Sequence, residues 1–376
     1  MALCKNFKSY VPKLWVMTSF DKFELNVSID PILLEYKNIP KLLYPFNEHY
    51  LTFAVADSLE KQDEKVILEL AIPISRLYPI KMHRIKFPML GFKPKESFVY
   101  PDIFLPEYSF FIEVENFHNP NPIEHLHEYI YLFTENGYMF YGCALTWKCK
   151  KLVESLDLYF VDPLTGEVRI HGIKGEPIKI QIDQDTYPAG KPHTWIQYEL
   201  FRWLRSLDNL CSVEIDVSES GHVFVPDKIT ISSTEGIVDW MPERFTKFSG
   251  WTTGYTTSSI PREVPVRVDL CSYDGEEISC FEVKIQDEFT SEKKAIRVLQ
   301  QLYTYIKIGV FDKVWLVGTY NWLNDLWNEA SEIFSGKLEK VGLLGYDESR
   351  RTFKVIKEAE KLNVKRRKFI TIEIIN

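Results

Sequence analysis

Between residues 266 and 318 the chain carries two alternating apolar runs, VRVDL and ISCFEVKI, joined by the turn-forming YDGEE; a helix-patterned run and the unbroken apolar KVWLVG follow. Alternation with period two across a short turn reads as an antiparallel hairpin, and an apolar run without alternation reads as a strand buried on both faces. A buried strand beside a hairpin, with a helix between them, constrains the segment to a sheet of mixed direction covered by helices. Ser291 is placed to cap that helix, Ala295, Leu299, Leu302 and Ile306 to face inward, and Gly309 to end it. Upstream, T-W-I-Q at Thr194 has a capping-box pattern and opens a stripe of Ile196, Leu200, Trp203, Leu204 and Leu207. Cys211, Val213, Ile215 and Val217 then alternate as a half-buried strand should. Downstream, NWLNDLWNEASEIF reads as a helix stopped at Ser335-Gly336, and GLLGY with TFKVI as a final hairpin. The expected fold class is α/β, a mixed central β-sheet flanked by helices.

The first half repeats this order. PDIFLPEYSFFIEVEN parallels VRVDLCSYDGEEISCFEVK, HLHEY at 125–129 parallels QLYTY at 301–305, GYMFYGCAL parallels DKVWLVGT, and LYFVDPLTGEVRI parallels LLGYDESRRTFKVI. Two duplicated halves are expected, the rival being that any strand-hairpin-helix-strand unit produces such echoes by chance. QDTYPAGKP at 184–192 breaks the pattern with two prolines and a glycine and reads as the linker. The division expected is 1–185 and 186–376, with a Gly/Thr/Ser/aromatic insertion in the second half near 232–262.

A chain of 376 residues, 45% hydrophobic, buries a large core and suits two domains. The formal charge of -8 argues against coating nucleic acid by bulk electrostatics, but leaves room for a local basic groove or for cations that offset carboxylates. None of the cysteines forms a C-x-x-C pair, so neither a zinc knuckle nor a redox dithiol is suggested. No segment reaches the roughly 18 to 20 apolar residues that cross a bilayer, and the first residues lack the apolar run of a signal peptide. A soluble, cytoplasmic protein without a membrane partner is expected.

The chemistry centres on the hairpin. Asp269 stands at the end of one strand, and twelve residues separate it from Glu282, which shares a strand face with Lys284. Two carboxylates brought together from adjacent strands form a hard-oxygen site suited to Mg²⁺ or Mn²⁺. A lysine beside them can orient or deprotonate an attacking water and stabilise charge on a phosphate. Both Glu282 and Lys284 are expected at an exposed metal cleft.

This arrangement resembles the PD-(D/E)XK nuclease superfamily, in which an acidic residue at the end of one strand is followed by E-x-K on the next. Here the motif stands as Asp269 and Glu282-Val283-Lys284, and Gln301-Leu302-Tyr303-Thr304-Tyr305 resembles the Q-L-x-x-Y element of RecB-like members. The resemblance implies a restriction-endonuclease-like core and Mg²⁺- or Mn²⁺-dependent hydrolysis of phosphodiester bonds. It further implies a metal held by Asp269, Glu282 and the Val283 backbone carbonyl, a catalytic Lys284, and an assisting Gln301. The acidic residue that many members carry on the preceding helix is matched by Glu199. Val268 stands where the motif often has proline, and the cysteine set of iron-sulfur relatives is absent. DNA is the expected partner, with RNA open because no reader of a 2′-hydroxyl is identifiable, and a homodimer is compatible.

The first half keeps Asp102 and Glu113-Val114-Glu115, a candidate second metal site with glutamate in the lysine position. Some restriction endonucleases resembling the family use E-x-E; otherwise the half is degenerate and serves as scaffold or DNA-binding unit. His125 and His127 lie two apart on an expected helix and cannot share one ion. Lys247, Trp251 and Tyr255 in the inserted segment, and Lys365, Arg366, Arg367 and Lys368 near the C-terminus, are candidates for nucleic-acid contact. The alternatives for function are a catalytically inactive nuclease-fold protein that binds nucleic acid or assembles a complex, and a ligand-regulated RNase or DNase of a defence system.

Overall fold

The computed structural model describes residues 38–43, 48–70, 72–73, 98–106, 110–115, 139–144, 192–217, 228–232, 238–239, 266–364 and 367–375. The inserted segment with Lys247, Trp251 and Tyr255, the residues His125 and His127, the linker up to residue 191, and Lys365 and Arg366 lie outside the described residues.

A six-stranded mixed sheet carries the C-terminal half, in the order β15-β14-β13-β12-β11-β8. Its strands are β8 (Leu210–Val217), β11 (Val266–Tyr273), β12 (Ile278–Val283), β13 (Lys313–Thr319), β14 (Gly342–Asp347) and β15 (Thr352–Lys357). β11 runs antiparallel to both β8 and β12, β12–β13 and β13–β14 are parallel, and β14–β15 close as a hairpin. The central β13 is buried along KVWLVGT except at its ends, as its lack of alternation requires. Gly318 in β13 admits a close approach: a Cβ there would meet the Trp322 ring at 2.4 Å and the Lys284 carbonyl oxygen at 2.9 Å.

Helices cover both faces. One layer holds α2 (Pro192–Ser206); the other holds α3 (Glu292–Ile308), with α4 (Tyr320–Ala330) adding Leu323. Proline at the first helical position needs no hydrogen-bonded amide, so Pro192 opens α2 rather than ending a linker. Thr194 is consequently inside the helix, where its hydroxyl donates to Glu69 at 2.7 Å instead of capping. In α3 the Ser291 side chain accepts from Lys294 N, and Gly309 ends the helix with φ +70°.

In the first half, α1 (Glu48–Glu60) precedes a four-stranded sheet ordered β2-β5-β6-β7, built from β2 (Ile67–Leu68), β5 (Ile103–Leu105), β6 (Phe110–Glu115) and β7 (Met139–Ala144). Its pairings run antiparallel, antiparallel, parallel. The same sequence of directions joins β8, β11, β12 and β13, again after a helix. α1 packs on α2 through Tyr50 and Phe53 against Phe201, ring centroids 5.4 and 5.7 Å apart, and Arg202 pairs with Asp57 and Glu60. Val66, Leu68, Ile103 and Leu105 share one apolar core with α2, Val213 and Leu270, so the described parts of both halves are buried together.

A second four-stranded sheet, β1-β16-β9-β10, joins β1 (Asn38–Pro40), β16 (Phe369–Ile375), β9 (Lys228–Ser232) and β10 (Val238–Asp239). The β14–β15 hairpin is therefore not the last element, because the chain returns after it as β16. A short pair, β3 (Ile72–Pro73) and β4 (Phe98–Val99), completes the described strands. Among the described residues no helix is long and apolar enough to cross a membrane.

Candidate functional site

The β11–β12 register brings the motif together. Leu270 pairs with Phe281, so one step further along the antiparallel ladder Asp269 stands opposite Glu282. Ladder pairing gives way there to a side-chain bond, since Val283 N–H donates to Asp269 Oδ2 at 2.7 Å. β12 ends at Val283, and the Lys284 amide still donates to Val317 O at 2.8 Å, which fixes its backbone against β13.

The Lys284 ammonium contacts three oxygens. It donates to the Val283 carbonyl at 2.9 Å, forms an ion pair with Glu282 Oε1, and lies 3.5 Å from Asp269 Oδ2. Tyr305 of α3 donates its hydroxyl to Glu282 Oε2 at 2.6 Å. Glu282 Oε1 is buried and, although it touches the ammonium, has no donor aligned for a hydrogen bond. The cluster is closed rather than lining an exposed cleft: Glu282 is 0% exposed, and Asp269 and Lys284 each 7%. Alternation along β12 turns Phe281 and Val283 into the α2 layer and leaves Glu282 under Tyr305 of α3, which accounts for the burial.

Burial is the largest single influence on each of these groups, and it prevails only at Glu282. It pushes the Glu282 carboxyl up to about 8, helped by the Asp269 charge and opposed by Lys284 and Tyr305. Burial also pushes Asp269 upward, but His193, Lys284 and the Val283 amide outweigh it and hold Asp269 below its ordinary value. For Lys284, burial works against the charge, yet Asp269 and Glu282 raise it above the usual lysine value. The site is thus a fixed cation beside an Asp269 held below, and a Glu282 pushed above, the ordinary carboxylate range.

Three of its neighbours went unmarked in the sequence reading. His193 on α2 has Nε2 3.4 Å from Asp269 Oδ2, and Gln197, one turn on, donates to Glu214 Oε1 at 2.7 Å and reaches the Asp269 carbonyl at 3.4 Å. His193 and Gln197 are four apart and share a helix face, the one signal that marks them together. Glu214 of β8 is their carboxylate partner, and burial followed by the Asp269 charge raises its carboxyl.

Glu199 is not part of this cluster. Two residues beyond Gln197, it is turned about 200° around α2. There it pairs with Arg351 of the β14–β15 turn at 2.5 Å and lies 3.5 Å from Arg202. With Glu199 3% exposed but Arg351 and Arg202 47% and 29% exposed, Glu199→Ala leaves cations that water can solvate. The expected loss is about 1 to 2 kcal/mol, measured by urea denaturation, with any affinity of the chain for Mn²⁺ unchanged. Weakened cation binding would return Glu199 to the site.

Gln301 acts one step away from Glu282: its amide donates to the Tyr305 hydroxyl at 2.8 Å and reaches Arg267 O at 3.4 Å. In the first half Asp102 immediately precedes β5, and the pairing of Ile103 with Ile112 sets Asp102 opposite Glu113 in register, as Asp269 is opposite Glu282. Glu113 and Glu115 lie on β6, and their side chains are outside the described residues. Of the basic run, Arg367 is occupied: its guanidinium pairs with the buried Asp312 carboxylate and donates to Glu276 O at 3.3 Å. Lys368 is exposed, and its carbonyl accepts the Lys41 amide at 2.8 Å.

Among the described residues no group of three or more His, Cys, Asp or Glu side chains is placed to hold a metal ion. A cation at this hairpin would therefore rest on two carboxylates and the Val283 carbonyl. Compared with known proteins, the chain matches no family model, no curated protein and no solved structure.

Proposed function

We propose that the Asp269–Glu282–Lys284 cluster is the centre of a Mg²⁺- or Mn²⁺-dependent nuclease acting on DNA. The observation that carries the reading is the convergence of Asp269, Glu282 and the Val283 carbonyl on the Lys284 ammonium. These are the donors that the PD-(D/E)XK resemblance implies for a metal, and here they surround a monovalent cation. Glu282 Oε1, buried and paired with the Lys284 ammonium, is an oxygen that a divalent cation would take over. An all-oxygen set with two anionic donors suits Mg²⁺ or Mn²⁺, whose remaining positions go to water and phosphate oxygens. Such a cation supplies charge to a phosphate and acidity to a bound water.

The chain's own residues divide the remaining work. Asp269 and Glu282 would hold the cation, and Lys284 would orient water and offer its charge to the phosphate. Tyr305, supported by Gln301, holds the second Glu282 oxygen, and His193 stands against Asp269. The recurrence of strand directions, and of aspartate opposite glutamate in β5–β6, supports a duplicated core whose first copy lacks the lysine. The test is cleavage of linear, nicked and single-stranded DNA, and of RNA, with Mg²⁺ or Mn²⁺ and with EDTA. Cation-dependent cleavage of DNA is expected.

A non-catalytic reading is favoured by one observation, the 0% exposure of Glu282. It requires that nucleic acid bind with equal affinity in Mn²⁺ and EDTA and that no substrate be cut in either.

A further inference from the structure

Glu214 lies inside β8 with φ +51°, a left-handed conformation that costs a non-glycine residue free energy and that a strand does not require. On both sides of it β8 and β11 keep one register, with Val213 opposite Leu270 and Ile215 opposite Val268. No residue is inserted, so the feature is not a bulge. What changes is the facing of the strands. Val213 and Leu270 pack in the layer with α2, whereas Ile215 and Val268 pack in the layer with α3. Residues two apart on a regular strand share a face, so both strands turn over together at Glu214 and its cross-strand neighbour Asp269.

The turnover gives Asp269 neighbours from both sides. Its carboxylate meets His193 of α2 and also the Val283 amide and Lys284 ammonium at the end of β12. Glu214 is tied to the same point, because the Gln197 amide that donates to its Oε1 at 2.7 Å also reaches the Asp269 carbonyl at 3.4 Å. Arg267 Nε stands 3.4 Å from the other Glu214 oxygen.

We infer that Glu214 is a positioning residue for the site. Its left-handed backbone turns the β8–β11 pair over, and its carboxylate, through Gln197, holds Asp269 where that side chain meets the Val283 amide and the Lys284 ammonium. The cation-binding arm of its test rests on the reading of the cluster as a metal site; the hydrogen-exchange arm does not. Strain retained at a residue facing a reactive group is the pattern expected where position outweighs stability.

The experiment compares the full chain with Glu214→Gly and Glu214→Gln. Glycine adopts φ +51° without strain, so Glu214→Gly keeps the turnover and removes only the side chain. Glutamine keeps an oxygen that can accept the Gln197 amide. Three quantities are read: the thermal midpoint, hydrogen exchange at the Val283 amide, and affinity for Mn²⁺ alone. For Glu214→Gly the midpoint should equal or exceed wild type while Val283 exchanges about tenfold faster and Mn²⁺ binds about tenfold more weakly. Glu214→Gln should stay close to wild type in all three. Unchanged Val283 exchange in Glu214→Gly would overturn the inference, whether or not the midpoint falls. If the wild-type chain takes up no Mn²⁺, the metal-dependent reading of the site fails, while faster Val283 exchange in Glu214→Gly still supports the role of Glu214.

Discussion

Lys284→Ala should lower DNA cleavage by about two to four orders of magnitude, because it removes a cation that stands beside both carboxylates. The same substitution should also weaken the fold in EDTA. Asp269 and Glu282 would be left 7% and 0% exposed without the ammonium that compensates them. Leaving buried charge uncompensated costs about 3 to 5 kcal/mol, and Glu282, already pushed up to about 8, can relieve part of that by keeping its proton. A loss of about 2 to 4 kcal/mol is expected on that basis. Saturating Mn²⁺ should restore most of it, since a divalent cation would replace the lost positive charge. Thermal denaturation with and without Mn²⁺, run beside the cleavage assay, measures both effects. Cleavage at the wild-type rate at equal purity and metal would remove Lys284 from the chemistry.

Asp312→Ala, away from the site, should cost about 3 to 5 kcal/mol. The Asp312 carboxylate accepts the Ile278 amide at 2.7 Å and pairs with Arg367. Its backbone donates to Ile278 O at 2.8 Å and accepts the Leu362 amide at 2.7 Å. One residue thus ties the start of β12, the approach to β13 and the segment leading to β16. Truncation strands the Ile278 amide and leaves Arg367, 21% exposed and with Nε already lacking a hydrogen bond, without its carboxylate. Asp312→Asn keeps an acceptor for Ile278 and should lose roughly half as much. Extrapolated urea denaturation checks both; a change within about 0.5 kcal/mol for Asp312→Ala would refute the tie.

This tie also shows where charge counting in a sequence misleads. KLNVKRRK reads as a basic run for phosphate, but Arg367 is a structural cation whose partner lies 55 residues upstream. No local pattern reports such a partner. The hairpin and the capped α3 were legible because their signals are local: alternation, a turn, a serine before the helix and a glycine after it. The inward face of α3 was only partly so. Ala295, Leu299 and Ile306 are half-buried, and the buried stripe is Val298, Leu302, Tyr305 and Ile308. The apolar residues of the helix spread beyond one stripe, and the buried face is the one that also brings Tyr305 to Glu282. Leu207, expected inward, is 53% exposed because α2 ends at Ser206. Asp269, Glu282 and Lys284 could be paired from spacing alone, whereas His193 and Glu214 could not. One depends on how α2 crosses the sheet, the other on a backbone conformation that glutamate does not advertise.

The strand order of the second sheet carries a consequence for how the chain acquires its structure. β16 lies between β1 and β9, so Asn38 finds its partner in Thr371 and Lys228 shares that same partner. During synthesis the earlier strands emerge long before the segment that joins them, and each waits with one edge unpaired until residues 369–375 arrive. Contacts of such long sequence separation carry a large loop-closure entropy, which makes them late and slow. The capped α3 and the β11–β12 hairpin, by contrast, need only neighbours in the chain. Assembly of the motif-bearing hairpin can therefore precede the clasp that holds β1 and β9.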